Sequence, residues 1–459
     1  MNKLNTLAVT VMAAFMAAPA AFADDSAPTF DFHGYMRAGV GHFSRGGSQA
    51  SFEEDKVGRL GNEADTYGEF EFDSRVFKKG DTEFFFQSMI AGKSMGDNDY
   101  EATDRNGNPG ENGFGSTSSE DAEFALRQLN IQAKGLIPGK KDATIWAGKR
   151  YYQRHDIHIW DYYYWNVSGS GAGLENLQLG PGKLSIAWMR KAHDSVTELE
   201  TGEKAQHWTW DDKTGTYKKV SNSMGNINLY DIRYAGSYWD GGYLEFGASL
   251  MDPDKSSSQH YIYDVGLSTL LTAEATFSGS WGFNKTTLQY GNRGWKPNNH
   301  NFWYQSYSDN SSDYFWMLIN QGEASIGTDK FHLMHAIRYV YNHQDGDKHG
   351  WNGRDRNEKL LAVAVRPSYQ VTTYSRIMAE VGAFWNKADQ ETSAGDTQGQ
   401  KYTLAYAIAP SASLWARPEI RFYVSYLHSS NAKKISDNLY DGDSFSSGTN
   451  FGVQAEAWW

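Results

Sequence analysis

Two-residue alternation of apolar and polar side chains recurs along this chain, and beyond residue 23 no apolar run nears the ~20 residues that a membrane-spanning helix needs. A period of two puts successive side chains on opposite faces of a strand. From Phe30 to Val40, one face carries Phe30, Phe32, Met36, Ala38 and Val40, and the other carries Asp31, His33, Tyr35 and Arg37. Asp65 to Asp73 sets Phe70 and Phe72 against Asp65, Tyr67, Glu69, Glu71 and Asp73. Tyr243 to Leu250 and Glu419 to Leu427 repeat the pattern, whereas Phe124 to Gln132 alternates poorly and cannot be oriented by period alone. Strands that are apolar on one side and charged on the other suit a closed barrel with lipid outside and water inside.

Composition agrees. The chain holds 46 Gly against 10 Pro, and aromatic residues make up 15% of it. Leu7 to Ala21 is a short apolar run ending in Ala21-Phe22-Ala23, which reads as an export leader over residues 1–23. Export without a single Cys fits a wall held by continuous hydrogen bonding. A net charge of -12 argues against a nucleic-acid partner. Short connections (Gly180-Pro-Gly-Lys183, Trp239-Asp-Gly-Gly242) and long polar ones (residues 96–121, 191–225, 291–313, 344–358, 389–400 and 429–448) predict tight turns on one rim and long loops on the other. No linker divides the chain, so residues 24–459 read as one barrel domain, all-β and antiparallel, with roughly 16 to 18 strands in outer-membrane lipid.

The last strand reads Phe451, Val453, Ala455, Ala457 and Trp459 outward, and Gln454, Glu456 and Trp458 inward. If it closes on the first strand, Tyr35, Tyr67 and Trp458 form an aromatic lane beside Arg37, Glu69 and Glu456. An indole in a wet lumen has nothing apolar to pack against, which points to an apolar face on a ligand. A pyranose has such a face, and its hydroxyls suit charged partners. Conduction requires weak sites, at about −4 kcal/mol or roughly millimolar affinity. The bland reading assigns these rings to the interfacial girdles that take most barrel aromatics.

The stretch from Thr144 to Asn176 is too aromatic for a solvated loop and too charged for a core. It leaves a strand at Lys149 or Arg150, ends in the Gly/Ser run Ser168 to Gly173, and re-enters a strand at Leu174. A loop folded into the lumen fits, with Arg154, Asp156, Asp161 and Tyr163 narrowing the pore; a loop that merely braces the wall is the alternative. His155 and His158 have a weak metal spacing and read better as hydrogen-bonded histidines. Asp156 and Asp161 could pair for glycoside hydrolysis, but nothing in the spacing supports an enzyme. No cofactor motif is present, and no metal site is assigned.

Several segments resemble the maltoporin family of outer-membrane sugar channels: Asp31-Phe-His-Gly-Tyr-Met-Arg37, Arg59-Leu-Gly-Asn-Glu63 with Thr66-Tyr67, Glu101-Ala-Thr-Asp104, the whole Thr144–Asn176 stretch, and Ala457-Trp-Trp459. The resemblance implies an 18-stranded barrel, a homotrimer, and facilitated diffusion of maltose and maltodextrins. It implies an aromatic slide at Tyr35, Tyr67, Trp458 and Phe283, with Tyr100 contributed by a neighbouring subunit where relatives usually carry Trp. Its polar tracks fall on Arg37, Arg59, Glu69, Arg127, Arg154, Asp156 and Asp161, with Tyr163 as the constriction phenol. Two departures stand out. One slide Trp aligns to Val371, with Tyr374 nearby as a substitute, and a Cys pair of some relatives is absent, with Ala64 at one of its positions. Other readings are a porin for sucrose or other glycosides, a general diffusion porin, and an adhesin or receptor barrel. A periplasmic sugar-binding protein and a phage at the outer loops complete the partners considered.

Overall fold

Apolar outward faces without long apolar runs force the backbone to satisfy its hydrogen bonds between strands. In the computed structural model the chain forms one 18-stranded antiparallel sheet closed on itself. Its strands are β1 (Thr29–Phe43), β2 (Thr66–Lys79), β3 (Thr82–Ser94), β4 (Ala122–Lys134), β5 (Thr144–Arg150), β6 (Gly169–Leu179), β7 (Gly182–Ala192), β8 (Asn226–Trp239) and β9 (Gly242–Asp254). They continue with β10 (Ser268–Gly279), β11 (Gly282–Asn292), β12 (Tyr314–Ser325), β13 (Phe331–Gln344), β14 (Arg356–Thr372), β15 (Ser375–Ala388), β16 (Thr397–Ile408), β17 (Glu419–Ser429) and β18 (Ser447–Trp458). The structure describes residues 28–63, 65–94, 122–192, 206–211, 216–221, 226–254, 266–297, 311–345, 356–389, 396–411, 413–430, 435–436 and 444–459. The leader expected over residues 1–23, Ala64, Tyr100 and the Glu101–Asp104 segment lie outside the described residues.

Closure follows the expected pairing. β1 lies between β2 and β18, with Tyr35 opposite Trp458 and Arg37 opposite Glu456. Two-residue turns such as Gly180-Pro181 and Asp240-Gly241 serve one rim. There Gly180 and Gly241 take φ of 61° and 69°, a left-handed conformation that glycine adopts without penalty. The outward alternation holds on β17, where Ile420, Phe422 and Val424 are exposed while Glu419, Arg421 and Ser425 are buried.

The poor alternation of Phe124 to Gln132 has a local cause. Met89 of β3 pairs with Gln128 and Ile90 with Leu126, so Arg127 is the extra residue of a β-bulge. Outward residues fall on Phe124 and Leu126 before it, and on Leu129 and Ile131 after it. A second correction concerns the Gly/Ser run: the chain re-enters the wall at Gly169, not Leu174, with Gly171 opposite Gly148. The run is strand because it must be slim. A Cβ on Gly173 would lie 2.6 Å from the Ile186 carbonyl and 2.8 Å from Nε1 of the buried Trp146.

The apolar core sits inside the barrel, in segments that fold inward. The first, residues 44–65, carries the short helix α1 (Glu54–Val57) and buries Phe52, Val57 and Leu60. Glu380 of β15 and Lys401 of β16 hold it, accepting from Leu60 N at 3.1 Å and donating to Leu60 O at 2.6 Å. The second, residues 151–168, is the expected inward loop. It forms a small hairpin, His155–Ile157 against Tyr162–Trp165, around a 3-10 turn at His158–Trp160. The third, residues 409–418 between β16 and β17, enters from the turn rim and was not foreseen.

Candidate functional site

The lane of rings comes from three neighbouring strands. Tyr35 of β1 lies 6.1 Å from Tyr67 of β2, centroid to centroid, and beside its register partner Trp458 of β18. Tyr35 donates to Glu456 at 2.9 Å and accepts from Arg59 at 2.8 Å. Tyr67 donates to Glu69 at 2.6 Å, with the Arg37 guanidinium 5.3 Å from its centroid. Each phenol is thus fixed by a charged neighbour. Trp458 has company that the sequence did not reveal: Arg417 lies 4.1 Å from its ring, and His158 meets it edge-on at 5.9 Å.

The charges form two groups. In one, Arg37 bonds Asp65 at 2.8 Å and reaches Glu63 at 3.0 Å and Asp161 at 3.4 Å, tying β1 to the inward hairpin. Arg59 completes it, 2.6 Å from Glu63 and 3.0 Å from Glu456. In the other, Tyr151 donates to Glu69 at 2.6 Å and accepts from Arg127, whose inward aim comes from its place in the bulge. Arg154 lies on Tyr151 at 3.3 Å and 4.6 Å from Tyr163, so two phenol rings hold its guanidinium. Asp156 pairs through its backbone with Tyr163. Burial, then the nearby Asp161, holds the Asp156 carboxyl above the usual carboxylate range. Burial likewise pushes the Tyr163 phenol up to about 12.

Phe283 of β11 faces Glu323 of β12 in register. Glu323 accepts from the Trp415 indole at 2.6 Å, and the Trp415 ring lies 4.7 Å from His158. Trp415 is thus joined to Trp458 through His158 and to the register of Phe283 through Glu323, across the gap between them. Val371 does not fill that gap: it sits at a register shift of β14 and is 50% exposed. Tyr374 lies in the two-residue turn that follows and is 65% exposed, far from a lumen position. The third inward segment brings the Trp415 ring to this part of the lumen. Its signal was present in Leu414-Trp-Ala-Arg-Pro418, which mixes an aromatic with a charge inside a short connection. Tyr151, His158 and Arg417 join the site in the same way, each through contacts with predicted residues, while Glu456 faces inward as the last strand's alternation predicts.

The two histidines part company. His155 is hydrogen-bonded to Glu274, as expected. His158 is not: its Nε2 is buried without a hydrogen-bond partner, and burial with the Arg59 charge holds the ring well below the usual histidine range. Among the described residues, two groups have ligand atoms close enough to hold a metal ion, His155 with Glu245 and Glu274, and Glu54 with Glu63 and Asp161. Protein cations already serve both, Lys285 at 2.9 Å from Glu274 and Arg59 at 2.6 Å from Glu63.

Comparison with known proteins shows the family. The chain is 40% identical over 465 residues to Maltoporin 1 of Klebsiella pneumoniae subsp. pneumoniae, covering 99% of each. It is 39% identical over 466 residues to Maltoporin 2 of Yersinia pseudotuberculosis, covering all of both. Among solved structures, OccAB2 of Acinetobacter baumannii is similar at a TM-score of 0.47 and 9% identity, over 94% of this chain and 98% of that one. The family model for the LamB porin matches residues 30–459. The chain belongs to the LamB porin family, channels of the bacterial outer membrane.

Proposed function

We propose that this porin carries maltose and maltodextrins across the outer membrane by facilitated diffusion. The observation that supports the reading is the row Tyr67, Tyr35 and Trp458, with Trp415 joined to Trp458 through His158 and to the register of Phe283 through Glu323, beside the charges of Arg37, Arg59 and Glu69. A glucose chain can rest its apolar ring faces on such a row while its hydroxyls exchange partners among the charges. Each contact is weak, so the sugar moves from station to station without being trapped. Arg154, Asp156, Asp161 and Tyr163 form the narrowest part and sort solutes by size and hydrogen bonding. The subunit works as a homotrimer, and the leader over residues 1–23 is removed on export.

The test is ion-current block in planar bilayers. Maltodextrins of increasing length should block saturably and with rising affinity, and sucrose should block more weakly than maltohexaose. Absence of saturable block by any maltodextrin overturns the reading in favour of general diffusion; stronger block by sucrose shifts it to another glycoside. The trimer predicts a band at three times the subunit mass that collapses on heating.

A further inference from the structure

The inward hairpin has a back as well as a front. Arg154 and Asp156 stand with Tyr151 and Tyr163, whereas His155 between them turns to the wall. Its Nδ1 lies 3.1 Å from Glu274 of β10, and its Nε2 lies 3.5 Å from Glu245 of β9. Tyr164 meets the imidazole edge-on at 6.0 Å, and Trp165 packs against it at 5.1 Å. Arg233 of β8 covers Trp165 at 3.7 Å and donates to the Gln153 carbonyl at 2.7 Å.

Behind the hairpin three carboxylates face two protein cations. Asp231, Glu245 and Glu274 are negative; Arg233 and Lys285 are positive. Arg233 is committed to Asp231 at 2.7 Å and is 3.8 Å from Glu245. Lys285 holds Glu274 at 2.9 Å, and Tyr164 and Thr287 also donate to Glu274, at 2.5 and 2.9 Å. Glu245 is thus the carboxylate that depends most on the imidazole. Removing one partner from a buried charge group leaves repulsion that the structure must relieve by moving.

We propose that His155 is a positioning residue for the constriction: by bridging Glu245 and Glu274 it fixes how far Arg154 and Asp156 project into the path, and so sets the size cut-off. The proposal deepens the channel reading, but its test needs no sugar. The measurement is single-channel conductance in KCl with a series of polyethylene glycols of rising mass, on His155→Ala, His155→Gln and the double variant His155→Ala/Glu245→Gln. Retention of the heat-modifiable band serves as the folding check. His155→Ala should raise the conductance and shift the polymer cut-off to higher mass. His155→Gln, which keeps one hydrogen bond, should shift it less, and the double variant should return towards the parent because the unmatched carboxylate is gone. If His155→Ala does not assemble, His155→Gln decides. An unchanged cut-off in the single variants, or a double variant no better than His155→Ala, overturns the proposal. Loss of maltohexaose block in the parent protein would overturn the sugar reading instead.

Discussion

Trp415 offers a sharp perturbation, because its indole is held at both ends and still presents a face. Nε1 donates to Glu323 at 2.6 Å, His158 lies 4.7 Å away, and the residue is 37% exposed inside an enclosed lumen. Trp415→Ala removes one stacking station. An aromatic contact contributes about 0.5–1.5 kcal/mol beyond its burial, which is roughly a 2- to 12-fold change in a dissociation constant. Chain length makes the prediction specific. Maltose, with two rings, can rest on Tyr35 and Tyr67 or on Tyr35 and Trp458 and avoid the gap. Maltohexaose, spanning Tyr67 to Phe283, cannot. Its half-blocking concentration should therefore rise roughly 2- to 12-fold while that of maltose moves less than about 2-fold. Trp415→Phe keeps a ring and loses the N–H, and should recover most of the loss, since Glu323 keeps its contact with His332 at 2.9 Å. Titration of current block across the length series reads both effects. An equal loss at every length, or none for maltohexaose, refutes the continuous lane.

Three further outcomes follow from the packing. Glu456 is 1% exposed and lies 3.0, 2.6 and 3.2 Å from Arg59, Arg417 and Arg421, so Glu456→Gln strands buried guanidinium groups. A loss of about 3–5 kcal/mol should lower the temperature at which the heat-modifiable band shifts. Gly382→Ala would set its Cβ 1.9 Å from the Val57 carbonyl, and because backbone cannot swing aside the first inward segment must lift. The expected cost is roughly 1–3 kcal/mol, with faster proteolysis around residue 57. The raised Asp156 carboxyl gives a pH dependence with a definite sign. Its folded value lies above the unfolded one, so the native state binds that proton more tightly, and the destabilisation from the ionised form is relieved as pH falls through the folded value. The channel's charge selectivity, read as reversal potential across a KCl gradient, should shift towards anions on acidification before the ordinary Asp range near ~3.9 is reached. Asp156→Asn should lack that step.

The wall was legible because its physics is local. Each strand of β1, β2, β17 and β18 declares its faces within a few residues, and closure then sets Tyr35 beside Trp458. Legibility failed where one residue changes the count. The bulge at Arg127 inverts the phase of β4, so averaging across it hides both halves. The Gly/Ser run looked like loop because small residues mark turns, whereas here they admit the Trp146 indole against the wall. Trp415 was missed for another reason: its partners His158 and Glu323 are distant in sequence, and a ten-residue connection has no period to read. The family resemblance named the charged residues of the proposed polar tracks, but their grouping around Glu456 and Tyr151 required coordinates.

The meeting of inward segments from opposite rims bears on how such pores diversify. Ile159 of the hairpin accepts from Arg59 N of the first segment at 3.0 Å, while His158 touches Trp415 of the third. A hairpin transplanted alone from a relative would meet foreign neighbours on two sides. Because these three inward segments touch one another, chimaeras should keep function when the segments are exchanged as a set and lose it when the hairpin is exchanged alone.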